Sequence, residues 1–340
     1  MRECVVIPTT ADRNHYLYCA LKRIRAQDSK IDIAVFLDRS CGGNAEALAV
    51  VGEFGAALYY VGLHDFYGNS FAAMTAYSWA YEQEYDLVHY NESDTMQHPD
   101  CLDWHREQHE MFPSIFASCG WVFNQKSPLL PDVMFAPWIY APNFGIARDK
   151  LALVVKHSVP EYFENPRDYV LKTWPNSILH SRGTQENTAF FEQDAVLQYV
   201  LMEHRLQVAW RGTALVDHVG ASGYNRPKGL VFEGTLDERV TKVESLIADP
   251  HTRAEIFGRS IVEREIGRVL PKRERVYTIS LPGGWRSEFV SELKPGMLPK
   301  VINSVRIADY EGAVITSVLR DAQEGDTLPS TKDLAQGLGG

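Results

Sequence analysis

Apolar residues recur along the first third of the chain in two alternating periods. Nearly continuous apolar runs at residues 4–10 (CVVIPTT), 31–37, 57–63, 87–91 and 114–123 read as buried strands. Between them, residues 15–27 carry Leu17, Leu21 and Ile24 at helical spacing, and residues 44–54 read as a second helix. Residues 69–85 form a longer helix opening on an Asn-Ser cap signal, and residues 99–112 a helix with Pro at its start. Alternating β and α units predict a mostly parallel sheet covered on both faces. In such sheets ligands sit outside the carboxyl ends of the strands. Three strands end in polar residues, Thr9-Thr10, Asp38-Arg39-Ser40 and Glu92-Ser93-Asp94, so all three are expected to point into one crevice.

From about residue 135 the alternation loosens. Residues 138–147 read as a strand leading into a loop, 147–156 and 188–204 as helices, and 206–219 as strand-rich, before a polar turn cluster at 220–229. Charged helices are expected at 237–248 and 252–269, short strands with Gly/Pro turns from 275, and a flexible tail from about 325. No internal repeat stands out.

With 340 residues, 45% of them hydrophobic and 23% charged, the chain has material for one large domain plus an appendage. A formal net charge of −10 weighs against a general polyanion binder. Only the stretch Arg264, Arg268, Lys272, Arg273 and Arg275 offers a basic groove, so DNA is not favoured as a partner. The five cysteines, Cys4, Cys19, Cys41, Cys101 and Cys119, are odd in number and contain no C-x-x-C pair. Neither a disulfide framework nor a zinc knuckle is expected, and a reducing cytoplasmic setting fits. No apolar stretch approaches the roughly 18 residues that span a bilayer, and no secretion signal is read at the start. Asn91-Glu92-Ser93 matches a glycosylation sequon and carries no weight without such a signal.

Glu92-Ser93-Asp94 supplies the first candidate chemistry. Two carboxylates two residues apart on a strand-end turn can share one divalent ion, and hard oxygen ligands suit Mg²⁺ or Mn²⁺. An isolated acidic pair is more often a solvated turn; its place after the fourth strand of a βα series sets this one apart. With a first strand reading VIPTT, a second ending in Asp (VFLDRS) and a fourth running into YNESDTMQHPDCL, residues 3–225 resemble the GT-A glycosyltransferases, particularly the family-2-like ones.

The resemblance implies an α/β, Rossmann-like GT-A fold: a mostly parallel central sheet flanked by helices, with a C-terminal helical and β extension. It implies a catalytic domain over 1–230, with a nucleotide-binding half at 1–125 and an acceptor half at 126–230, followed by the extension at 231–340. Pro8, Thr9 and Thr10 would line the nucleoside pocket, with Arg13 near the phosphates or base and Asp38 accepting from base or ribose. Asn69 and Ser70, at a helix start, would contact the nucleotide, since helix N-termini offer free N–H groups to anions. Glu92 replaces the family's usual first Asp, so Asp94 is the firmer metal ligand; Ser93 lies between them on the donor side. His218 would complete the metal shell, although a lone His is usually a hydrogen-bonded structural residue. Arg226, with Tyr224 and Asn225, would close over the diphosphate. Asp194 would take the acceptor's proton as general base, with Glu192 as runner-up and inversion mildly favoured. Asn143 and Gly145 match an acceptor-side loop, and Trp121, Trp138 and Tyr140 are either a stacking platform or core.

Other patterns fail. His105 and His109 have the i,i+4 spacing of a zinc helix, but the intervening Glu is one place off and no third ligand is evident, so a solvated amphipathic helix is expected. No Walker loop and no G-x-G-x-x-G after the first strand are present. The leading expectation is a metal-dependent transferase moving a sugar from a nucleotide-sugar, UDP-linked by preference, to a hydroxyl acceptor. That acceptor is unspecified, with a saccharide and a hydroxymethylated DNA base among the choices. A sugar-phosphate nucleotidyltransferase and a non-catalytic nucleotide- or sugar-binding module are the alternatives.

Overall fold

A computed structural model of the chain describes residues 1–38, 44–61, 68–120, 133–137, 139, 142–174, 192–211, 215–220 and 232–248, and the strand backbones at 275–281, 285–291, 301–302, 305–306 and 314–321. The first half follows the alternation in the sequence. Strands β1 (Glu3–Thr10), β2 (Asp32–Asp38), β3 (Ala57–Val61) and β4 (Leu87–Asn91) alternate with helices α1 (Asn14–Gln27), α2 (Asn44–Glu53) and α3 (Gly68–Glu82). A single 3-10 turn, Ala11–Arg13, joins β1 to α1. β5 (Thr95–Gln97), α4 (Cys101–Met111) and β6 (Ala117–Cys119) follow.

The two faces of the sheet are set by the period of two along each strand. Cys4 and Val6 of β1, with Ala34 and Phe36 of β2, join the cluster under α3. Val5 and Ile7, with Ile33 and Val35, join the cluster under α1 and α2. Each alternate apolar side chain therefore has a helix to cover it, which is why these strands are apolar throughout rather than every second residue.

Parallel pairing holds from β3 through β2 and β1 to β4. Beyond β4 the sheet is mixed, yet four of its seven pairings are parallel, in keeping with the mostly parallel sheet expected. β8 (Asn143–Ala147) enters at the carboxyl end of β4, with Asn143 opposite Asn91, and so runs antiparallel to both β4 and β6. β9 (Val208–Arg211) lies parallel to β6, and β7 (Val133–Ala136) closes the edge antiparallel to β9. The full order is β3-β2-β1-β4-β8-β6-β9-β7.

Helices α5 (Arg148–Val155), α6 (Pro160–Glu164), α7 (Pro166–Thr173) and α8 (Glu192–Glu203) bury Leu151, Val154, Tyr162, Val170 and Val196 in the α3 cluster. No helix is expected from the sequence at α6 or α7, yet both carry a start signal. Pro160 and Pro166 occupy first helical positions, and the Asn165 side chain accepts from the Asp168 N–H at 3.1 Å. α9 (Leu236–Ala248) lies where a charged helix was expected and packs on α1, burying Val243 beside Tyr16 and Cys19. Arg23 forks onto the Glu244 carboxylate at 3.1 and 2.6 Å.

The C-terminal extension shows β11 (Arg275–Leu281) between β12 (Trp285–Ser291) and β15 (Val314–Asp321), all antiparallel, and the short pair β13 (Val301–Ile302) and β14 (Val305–Arg306). The helix expected at 252–269 and the tail from about 325 lie outside the described residues. No helix among the described residues is long and apolar enough to cross a membrane.

Candidate metal centre

The polar ends of β1, β2 and β4 lie on one edge of the sheet because those strands are parallel. Thr10 is in register with Asp38, and Asn91 ends the strand next to β1. After Asn91 the chain turns sharply: the Thr95 N–H donates to the Glu92 carbonyl at 3.0 Å, and the Glu92 N–H donates to Pro142 O at 2.8 Å. This turn lifts Glu92 and Asp94 to one side. It leads directly into β5, which pairs antiparallel with β10 (Val216–His218) in a separate two-stranded sheet.

That small sheet assembles the site. His218 stands opposite Thr95, and the Val219 N–H donates to Asp94 O at 2.9 Å. His218 Nε2 thereby comes within 3.4 Å of Asp94 Oδ1 and 3.8 Å of Glu92 Oε2. One ligand atom from each of Glu92, Asp94 and His218 lies within 4.8 Å of the others. Arg13, from the turn after β1, places Nη1 3.0 Å from Asp94 Oδ2.

Burial makes these contacts electrostatically strong. The Asp94 side chain is only 4% exposed. Burial alone would raise its pKa, but Arg13 and then His218 outweigh that and hold it well below the usual carboxylate range. Glu92 goes the other way: burial first, and then the Asp94 charge, push it well above that range. Two neighbouring carboxylates thus differ in proton affinity because only one is paired with a guanidinium. Asp94 Oδ1 is shielded from solvent and makes no hydrogen bond of ordinary geometry among the described residues, although it faces His218. A buried carboxylate oxygen left open beside a second carboxylate and an imidazole fits a divalent cation, and this oxygen-rich donor set suits Mn²⁺ or Mg²⁺.

Two glycines keep this edge open. A Cβ on Gly220 would lie 2.2 Å from Asp94 Oδ2 and 3.4 Å from His218 Nε2. A Cβ on Gly68 would lie 1.6 Å from Asp38 Oδ2, so the Asp38 carboxylate sits against the first residue of α3, where the helix dipole favours a negative charge. Neither the Asp38–Gly68 approach nor the anchoring role of Asn91 was apparent from sequence. The available signals were a glycine at a helix start and an amide at the last position of a strand.

The remaining expected residues are placed as follows. Pro8, Thr9 and Thr10 end β1, with Pro8 and Thr9 buried and Thr10 half-buried. Asn69 is half-buried in the first turn of α3, and Ser93 is buried within the metal turn. The Ser70 hydroxyl is buried and lies 3.0 Å from Glu192 Oε2 and 2.7 Å from Gln193 Oε1, so it ties α3 to α8. Glu192 is itself buried, and desolvation raises its pKa against the opposing Ser70 hydrogen bond and the Arg167 charge 3.8 Å away. Asp194, two residues further along α8, is half-buried. It acts on the same buried tyrosine hydroxyls as Glu92. The buried Tyr77 hydroxyl is pushed up first by burial, then by Asp194 and more weakly by Glu92, and Tyr90 feels the same charges.

Asn143 and Gly145, expected on an acceptor-side loop, lie instead within β8 in the middle of the sheet. The Asn143 side chain is fully buried, bonded to Asn91 and His105, and Gly145 packs against Ser118 and His105. The helix carrying His105 and His109 is likewise not solvated on that face. His105 bonds Ser118 Oγ at 2.6 Å and Asn143 Oδ1 at 3.0 Å, His109 bonds Gly145 O at 2.9 Å, and both rings are buried. Burial drives both their pKa values down, that of His109 to about 4. Trp121, Trp138, Tyr140, Tyr224, Asn225 and Arg226 lie outside the described residues, as do Arg264, Arg268, Lys272 and Arg273.

No family model matches the chain, and no curated protein matches it. Among solved structures it is similar to TarS of S. aureus, with a TM-score of 0.42 and 13% identity, over 78% of this chain and 44% of that one. The chain therefore spans less than half the length of TarS. It is also similar to the galactosyltransferase LgtC in complex with donor and acceptor sugar analogs (TM-score 0.42, 14% identity, 72% of this chain and 95% of that one). A third is mouse xyloside xylosyltransferase 1 (TM-score 0.36, 9% identity, 61% and 84%). Likeness at these identities is remote.

Proposed function

We propose that the chain transfers a sugar from a nucleotide-sugar, UDP-linked in the first instance, to a hydroxyl acceptor with a divalent cation, Mn²⁺ or Mg²⁺, at Glu92, Asp94 and His218. The observation that carries this reading is the convergence of these three side chains, from two distant segments, at the carboxyl edge of a βα sheet. That edge is where ligands bind in sheets of this kind. When bound, the cation would neutralise charge developing on the departing nucleoside diphosphate.

In this reading residues 1–125 bind the nucleotide, 126–230 contribute the acceptor side, and 231–340 form an extension. Thr9, Thr10 and Asp38 line the nucleoside end of the cleft, at the register positions where β1 and β2 finish side by side. Asp38, held against the α3 N-terminus, accepts from a ribose or base donor. Asn69 and Ser93 flank the donor, and Arg226 contributes from the segment that follows β10 in sequence.

Asp194 is favoured over Glu192 as the base. The Glu192 carboxylate is buried and held by Ser70, whereas Asp194 is partly open to solvent and acts, with Glu92, on the buried Tyr77 hydroxyl. The acceptor oxygen would form its bond to the anomeric carbon as the carbon–phosphate-oxygen bond breaks, and the acceptor proton would pass to the Asp194 carboxylate.

The test is UDP-sugar turnover, hydrolytic or to an added acceptor, with and without Mn²⁺. Activity that requires Mn²⁺ and disappears in Asp94→Ala is expected. Pyrophosphate release from a nucleoside triphosphate plus a sugar phosphate would instead indicate a nucleotidyltransferase. Intact Mn²⁺–UDP affinity in Asp94→Ala would overturn the reading.

A further inference from the structure

We propose that Arg13 makes cation binding at Glu92, Asp94 and His218 conditional on a diphosphate bound at the same time; this rests on the donor reading above. Among the described residues, the ion pairs of the two carboxylates are with His218 and Arg13 alone. Arg13 is the only permanent cation of the two, since a guanidinium does not release its proton in proteins.

Its geometry is that of a resident counter-ion. The Arg13 side chain is 25% exposed and reaches from the turn after β1 to an Asp94 that is 4% exposed. It takes Oδ2 and leaves Oδ1 turned toward His218. Gly220 approaches the same Oδ2 so closely that a Cβ there would lie 2.2 Å away. Asp94 is therefore held between a guanidinium and a backbone, with one oxygen open to the cluster.

The charges then decide what the site can hold. With Glu92 ionised, as a cation ligand must be, the two carboxylates and the guanidinium sum to a single negative charge when His218 is neutral. A divalent cation turns that sum positive in a pocket where low exposure weakens solvent screening. The ion alone is thus held against the repulsion of Arg13. A nucleoside diphosphate brings at least two negative charges, which offset both the ion and the Arg13 guanidinium. Cation and diphosphate each remove what disfavours the other. By thermodynamic linkage each raises the affinity of its partner by the same factor. Arg13 acts here as the residue that sets this coupling, so that the unliganded protein holds the ion more weakly than the nucleotide complex does.

The test is Mn²⁺ binding to the full chain, read from the electron paramagnetic resonance signal of free Mn²⁺ with and without UDP. It is run on the unaltered protein, Arg13→Gln and Arg13→Lys. In the unaltered protein UDP is expected to tighten Mn²⁺ binding by roughly tenfold or more, within the usual range of coupling between two sites. Arg13→Gln should bind Mn²⁺ alone several-fold more tightly, and its UDP enhancement should shrink to about threefold or less. Arg13→Lys keeps the charge and should keep most of the enhancement. Undiminished enhancement in Arg13→Gln, or its loss in a folded Arg13→Lys, overturns the inference while leaving the metal site standing. Absence of Mn²⁺ binding by the unaltered protein, with or without UDP, overturns the site reading and the inference together.

Discussion

Asn91 and Asn143 stand opposite each other on antiparallel strands β4 and β8, and the Asn143 amide donates to Asn91 Oδ1 at 3.0 Å. The same oxygen accepts from Gln97 Nε2 at 3.2 Å, while Asn91 Nδ2 donates to the main-chain oxygens of Glu92 and Thr95 at 2.9 and 3.0 Å. A fully buried amide thus ties both ends of the metal turn to the sheet beneath it. Asn91→Asp keeps the shape but loses both donors to the turn. It is expected to cost roughly 2–4 kcal/mol of stability, from unsatisfied buried carbonyls and a buried charge, and to weaken Mn²⁺ binding about tenfold or more. Urea unfolding and Mn²⁺ titration check the two effects separately. Full Mn²⁺ affinity in the folded variant would show that the turn holds itself.

Gly220→Ala brings a methyl group into contact with the metal-site carboxylate. Because that Cβ would lie 2.2 Å from Asp94 Oδ2, either Asp94 or the backbone at 220 must shift. Mn²⁺ affinity and turnover should fall about tenfold or more, while overall stability changes by roughly 1 kcal/mol, since the strain is local. Wild-type turnover in Gly220→Ala would mean that Asp94 does not bind the cation in this arrangement.

Gly68→Ala separates donor binding from helix stability by the sign of its effects. An alanine in place of glycine within a helix ordinarily stabilises by roughly 1 kcal/mol. Here the Cβ would collide with Asp38 Oδ2 and displace the carboxylate. Weaker nucleotide binding is expected, with Mn²⁺ affinity measured in the absence of nucleotide unchanged. A more stable protein with undiminished nucleotide affinity would remove Asp38 from the donor site.

Stability should fall as the pH drops from neutral toward about 4. Burial pushes the imidazoles of His15 and His109 down to about 4, from an ordinary value of 6.5. The unfolded chain therefore binds more protons than the folded one across that window. The stabilisation is complete above 6.5 and is lost as the pH falls toward the folded values. Each residue contributes roughly 3 kcal/mol over the window. His15 stacks on Phe232 and has no hydrogen bond to either ring nitrogen among the described residues, so His15→Phe should flatten the pH slope of urea-unfolding free energy by one residue's share. An unchanged slope would show that His15 does not titrate with folding.

The parts of the fold that were legible in the sequence are those governed by local period. β4 begins and ends at the residues the apolar run marked, and α1 and α2 match their patterns to within a residue or two. β5 has three residues, too few for a period to show, whereas β10 falls inside the strand-rich stretch at 206–219. For Asn143 the family resemblance alone suggests an acceptor-side loop, and nothing local discloses that Asn91 and His105 satisfy its amide inside the sheet. The face of α4 carrying His105 and His109 reads as solvated in the sequence, because its hydrogen-bond partners lie far along the chain on β6 and β8.

By itself the sequence determined the βα alternation, the two-sided burial of the first strands and the candidates Asp38, Glu92 and Asp94. These follow from side-chain periodicity and from the rule that parallel strands present their carboxyl ends to one edge. Tertiary structure alone decided that β8 turns the sheet antiparallel and that β5 and β10 carry His218 to Asp94. It alone decided that Arg13, rather than solvent, faces the Asp94 carboxylate. The reason is the range of the forces involved. Helices and strands are set by neighbours a few residues apart, whereas burial and charge pairing act between side chains that only the folded chain brings within reach.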